Sequence, residues 1–125
     1  MRFYLNMPNA LKPFYQIELA TYREYLLKGN LPCAWRHLER AHILGQPYPI
    51  EHTMVHFKML QFGITTRNMK EILGQLPRLL VGGIKSWAGM IPVGNTGGSN
   101  VTAWKPMPIP NDLEAIIRQA SSKSL

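Results

Sequence analysis

The sequence predicts an all-α protein built from stacked helical hairpins, followed by an irregular C-terminal strap and a final helix. Three observations lead there. Single glycines at Gly29, Gly45 and Gly63 stop runs whose apolar residues recur every three or four positions. Gly29 and Gly63, Leu26 and Leu60, and Leu38 and Ile72 each lie 34 residues apart, a spacing that marks repeated helix pairs. Between Pro92 and Pro110 the chain turns rich in Pro and Gly and reads as an extended loop, longer than an ordinary connection.

Taken in order, Met1 to Pro8 read as an irregular or loosely docked arm. The first helix starts near Asn9 or Ala10, takes Pro13 in its first turn and ends at Lys28 before Gly29. Phe14, Ile17, Tyr22, Tyr25 and Leu26 are expected on its buried side. Asn30 is placed to cap the second helix, with Pro32 just inside it, and Ala34, Leu38 and Ala41 form that helix's apolar stripe up to Gly45. A short turn, Gln46 to Pro49, leads to a third helix from about Ile50 to Phe62. Thr65 or Thr66 is expected to cap the fourth, which Pro77 should kink or interrupt near Gly74. Residues 79–91 read as a short apolar helix over the bundle, with Trp87 and Lys85 giving an interfacial alternative. The strap carries Val93, Val101, Trp104, Met107 and Ile109, too apolar for a free linker. The last helix opens on Asn111, with Glu114 three residues on as a capping box. The domain reading is a single unit, 1–125, with two hairpins in 9–80, a short helix and extended loop in 81–110, and a C-terminal helix in 111–121.

Composition narrows the function. A chain of 125 residues holds one core, and at 46% apolar it is globular rather than disordered. Fourteen Lys and Arg against seven Asp and Glu give a net charge of +7, which favours anionic partners. The basic residues are scattered, so there is no strong nucleic-acid footprint. One cysteine, Cys33, excludes an internal disulfide and suits a reducing compartment. No signal-peptide core and no transmembrane-length apolar run is present, so a cytoplasmic location is expected.

The 34-residue offset, with Gly29, Ala34, Ala41 and Pro47, resembles the second half of a tetratricopeptide helix pair. The second copy departs from it, with Asn68 and Gln75 where the alanines should be. Four further stretches, AHILGQ (41–46), HTMVH (52–56), PVGNTGGSN (92–100) and KPMPIP (105–110), resemble a family of small uncharacterised bacterial proteins catalogued as domain of unknown function 3703. That resemblance implies a bacterial helical protein and brings no assigned reaction.

The chemistry is concentrated in His37–His56, which holds all four histidines. His52 and His56 are four apart, the spacing by which one helix offers two ligands to one ion. In an antiparallel hairpin, residues at one level have a nearly constant index sum. His42 pairs with His52 and His37 with His56 on that rule. His42, His52 and His56 are therefore candidate ligands for zinc, iron, nickel or copper, with His37 as a neighbour or fourth ligand. Thr53 stands where an HExxH metalloprotease needs Glu, which argues against that hydrolase class. Gly94, Asn95, Thr96, Gly97, Gly98 and Ser99 form a second candidate, a loop of free N–H groups and short hydroxyls suited to an anion, without the Walker or GxGxxG spacing. Cys33, one turn from His37, is a third, with no orienting group to complete a catalytic set.

These features support three function classes. One is a helical-repeat interaction or accessory module that docks a protein partner. Another is a histidine-based transition-metal-binding protein. The last binds an anionic ligand or membrane surface through the Gly-rich loop. No complete catalytic set is evident, and the first class is the one the repeat favours.

Overall fold

The computed structural model of the chain describes residues 6–87, 97–99 and 106–123. Five helices follow one another: α1 (Lys12–Leu27), α2 (Leu31–Gly45), α3 (Pro49–Thr65), α4 (Met69–Trp87) and α5 (Asn111–Lys123). No strand occurs among the described residues, so the class is all-α. α1 packs on α2, α2 on α3 and α3 on α4, while α5 returns to α2. Tyrosines of α1 also reach α3. The Tyr15 hydroxyl donates to the Glu51 carbonyl at 3.1 Å, and the Tyr22 ring lies 6.5 Å from that of Phe62.

Local signals set the helix ends. Gly29 adopts φ +76, a left-handed conformation in which a side chain is strained, and the Asn30 N–H returns to the Tyr25 carbonyl. The Asn30 carboxamide then accepts from the Cys33 N–H, capping α2 as its sequence position suggests. At the α3–α4 junction Arg67 takes the left-handed role at φ 56, and the Asn68 N–H returns to the Gly63 carbonyl. Asn68, rather than Thr65 or Thr66, caps α4 by accepting from the Glu71 N–H at 3.1 Å. Thr66 closes α3 instead, its hydroxyl donating to the Phe62 carbonyl at 2.8 Å. α5 begins one residue earlier than a cap at Asn111 would require, because the Pro110 carbonyl accepts the Glu114 N–H.

The core is drawn from one stripe of each helix. Ala34, Leu38 and Ala41 of α2 meet Val55 and Met59 of α3, and Leu113 docks α5. Met7 and Leu11, ahead of α1, are buried in the same core.

α3 also runs past Gly63, its expected stop, to Thr65, and two further expectations need correction. The buried side of α1 is Tyr15, Glu18 and Tyr22, while Phe14 and Ile17 are exposed. The rotation follows from polar partners. Glu18 must face inward to accept from His37 Nδ1 at 2.8 Å and from Arg40 Nε at 3.0 Å. α4 also runs unbroken through Pro77 to Trp87, so residues 81–87 belong to it and not to a separate short helix. Pro77 has no N–H for the Leu73 carbonyl. Leu73 is exposed, so solvent can satisfy that carbonyl. Of the strap, Gly97 and Gly98 are buried and Ile109 packs on the core. Val93, Val101 and Trp104 lie outside the described residues.

Candidate metal centre

A short turn builds the site. The Tyr48 N–H donates to the Gly45 carbonyl at 2.9 Å, closing the α2–α3 connection. Gly45 lies so close to α1 and α3 that a Cβ there would stand 3.1 Å from Tyr15 Cε1 and 3.2 Å from Glu51 Cβ. The tight start of the hairpin brings His42 of α2 level with His52 of α3, and His56 follows one turn on.

The three Nε2 atoms form an equilateral triangle. His42 to His52, His42 to His56 and His52 to His56 are each 3.1 Å. The rings meet edge to face, at interplanar angles of 62°, 81° and 72°. All three side chains are sealed from solvent, at 2–3% exposure.

Protons on the ring of His56 can be assigned from its neighbours. The Gln75 amide nitrogen donates to Glu71 Oε2 at 2.6 Å and to the Gly97 carbonyl at 2.8 Å. Both partners only accept, so the NH₂ end of Gln75 must face them. Gln75 Oε1 is therefore the atom 2.6 Å from His56 Nδ1, and that nitrogen carries the proton. In the neutral ring His56 Nε2 then presents a lone pair to His42 and His52.

Three mutual contacts of 3.1 Å cannot all be hydrogen bonds. A ring nitrogen that donates has no lone pair left to accept, and His56 Nε2 has no proton to give. Two donors aimed at His56 would leave His42 and His52 pressing N–H against N–H. A cation among the three nitrogens resolves the conflict by accepting every lone pair. The spacing fits one. With metal–nitrogen bonds of roughly 2.0–2.1 Å, a tetrahedral ion holds its ligand nitrogens about 3.3–3.4 Å apart and an octahedral face about 2.9 Å. The observed 3.1 Å lies between them. No other group of three His, Cys, Asp or Glu donors converges in this way among the described residues.

Part of the Gly-rich loop covers this triangle. Gly97 adopts φ +84 and lies flat against His42. A Cβ there would be nearest ring atom Cδ2, with Nε2 at 2.7 Å and Cγ at 2.8 Å. Distances this short to both atoms flanking Cδ2 place the Cβ over the ring face, because an approach in the ring plane would hold those two atoms much farther off. Only glycine permits this approach. Ser99 fixes the segment to α4, its hydroxyl donating to Glu71 Oε1 at 3.0 Å and its N–H to Oε2 at 3.1 Å. Gly74 gives α4 the matching flatness, since a Cβ there would run into Ser99. The Gly97 carbonyl also accepts from Arg78 Nη1 at 3.2 Å. Burial holds the Arg78 guanidinium below its ordinary pKa. Of the loop expected to bind an anion, Gly97 thus lies against the histidine site, Gly98 is buried, and the Ser99 donors serve the protein's own Glu71. Gly94, Asn95 and Thr96 lie outside the described residues.

The fourth histidine stands apart. His37 Nδ1 donates to Glu18, and its ring stacks on Tyr25 at 5.6 Å and 11°. It belongs to a chain of ion pairs in which Arg40 joins Glu18 to Asp112. Those two hydrogen bonds raise the Arg40 pKa, and Arg40 in turn lowers that of Asp112. His37 Nδ1 is therefore directed to Glu18 rather than to Cys33, and the proposed Cys33–His37 pairing gains no support from it. Sequence reasoning missed Glu71 and Gln75. A signal was present, because Asn68 and Gln75 are the two positions where the repeat replaces alanine. One caps α4 and the other orients His56.

Comparison with known proteins adds a family without a function. A family model described as "Protein of unknown function (DUF3703)" matches residues 9–117. No curated protein and no solved structure matches the chain.

Proposed function

We propose that this chain, which belongs to the DUF3703 family, is a metalloprotein that holds one first-row transition-metal ion on His42, His52 and His56. The observation that carries the reading is the triangle of Nε2 atoms at 3.1 Å, whose contacts cannot all be hydrogen bonds. Imidazole suits zinc, copper, nickel and iron, and affinity alone ranks copper highest among these. The support behind His56 also favours the reading. Metal-bound imidazoles commonly donate their second N–H to a fixed acceptor, and Gln75, itself held by Glu71, supplies one.

Elemental analysis and titration of untagged protein test this. One zinc or nickel ion per chain is expected, with a rise in melting temperature. His42→Ala, His52→Ala and His56→Ala should each abolish the rise, and His37→Ala should preserve it. Stoichiometric binding that survives loss of His52 would overturn the proposal.

A second reading, an accessory module that docks a protein partner, is favoured by one surface. Ile50, Met54, Phe57 and Ile64 recur along the outward side of α3, with Met69 and Leu73 exposed on α4. Light scattering of wild type and Phe57→Glu would show whether that face associates, and a monomer in both would count against self-association. No helix among the described residues is long and apolar enough to cross a membrane.

A further inference from the structure

We propose that the metal's fourth position is taken by a small exogenous anion, so that the centre is an open, anion-binding site and not a closed structural one. The inference rests on the three-histidine reading and deepens it.

Geometry is the first ground. A flat three-coordinate ion with bonds of about 2.0 Å would hold its nitrogens about 3.5 Å apart. At the observed 3.1 Å the ion must stand roughly 1 Å out of the nitrogen plane at a bond length near 2.05 Å. A pyramidal ion leaves the side opposite its three ligands to something else.

Inventory is the second. The chain has four histidines, one cysteine and seven acidic residues, and all twelve fall within the described residues. Only three of them converge. His37 is turned to Glu18. Glu71 stands behind Gln75, its oxygens accepting from Gln75 and Ser99. No imidazole, thiolate or carboxylate of this chain is left to close the sphere.

Charge is the third. Three neutral imidazoles leave a divalent ion with its full charge, in a place where its ligands are 2–3% exposed. An uncompensated buried charge is costly. Glu71 contributes one negative charge from beyond Gln75, and Arg78 at the Gly97 carbonyl contributes one positive. The balance calls for an anion on the metal itself, either hydroxide from bound water or a small anion that displaces it. Gly97 over the His42 face and the burial of all three rings restrict that ligand to a few atoms.

The test uses the full chain loaded with cobalt(II), whose visible bands report its ligands. Titration with azide should shift those bands in a saturable one-to-one transition, while neutral acetonitrile should leave them unmoved. Zinc added in excess should erase both the bands and the azide response. Bands that zinc displaces but that neither azide nor thiocyanate moves would overturn the inference alone, because the protein would then close the sphere. Absence of any zinc-displaceable cobalt bands would overturn the three-histidine site and this inference with it.

Discussion

Replacing Gln75 with Met separates the metal ligands from the groups that aim them. Met fills nearly the same volume, so little cavity is created, but it cannot accept from His56 Nδ1 or donate to Glu71 and Gly97. In the wild type these contacts are 2.6, 2.6 and 2.8 Å, and Gln75 is fully buried. Loss of an acceptor that orients a metal-bound imidazole typically lowers metal affinity 10–100-fold, or about 1.4–2.7 kcal/mol. Leaving buried polar partners unmatched costs the metal-free fold about 1–3 kcal/mol more per group. Zinc at a hundredfold excess over the wild-type Kd should stabilise wild type by about 2.7 kcal/mol. At the same concentration the variant should gain only about 0.4–1.4 kcal/mol. Thermal melts with and without zinc read this difference directly, and chelator competition gives the affinities. A variant that folds and binds zinc as tightly as wild type would refute the argument that Gln75 fixes the His56 tautomer for metal binding.

Four further substitutions have outcomes set by the structure. Gly97→Ala should weaken zinc binding and lower the melting temperature, because the new methyl lies over the His42 ring and φ is +84; an isothermal titration identical to wild type would count against the close packing. Gly29→Ala should cost about 1–2 kcal/mol in denaturant melts without touching zinc affinity, since a Cβ there meets nothing within 4 Å and only the φ of +76 is strained; Arg67→Gly at φ 56 should be neutral or stabilising. The Asp112 carboxylate is held below its usual range by the Arg40 hydrogen bond, so the pair's contribution is complete above the ordinary carboxylate pKa of about 4 and is lost as pH falls through the lower folded value. With the Asp112 side chain 59% exposed, the pair is worth at most about 1 kcal/mol, so Asp112→Asn should melt slightly below wild type at neutral pH and converge with it in acid.

The sequence by itself determined what depends on neighbours along the chain. The helix stop at Gly29, the Asn30 cap and the stripe Ala34, Leu38, Ala41 are local, because a left-handed turn, a capping bond and a 3.6-residue period act within a few residues. The meeting of His42 with His52 and His56 was legible for the same reason, since a short turn fixes the level of two antiparallel helices. What lies between distant segments was decided only by the tertiary structure. Glu18 turned α1 by a residue because its partners, His37 and Arg40, come from α2. α4 survived Pro77 because solvent can satisfy the carbonyl that the proline leaves. His37 left the cluster for a carboxylate that hairpin arithmetic does not contain. Gln75 and Gly97 became parts of the site because α4 and the strap close over it, and a buried amide or a glycine against a ring acquires its role from atoms far away in sequence.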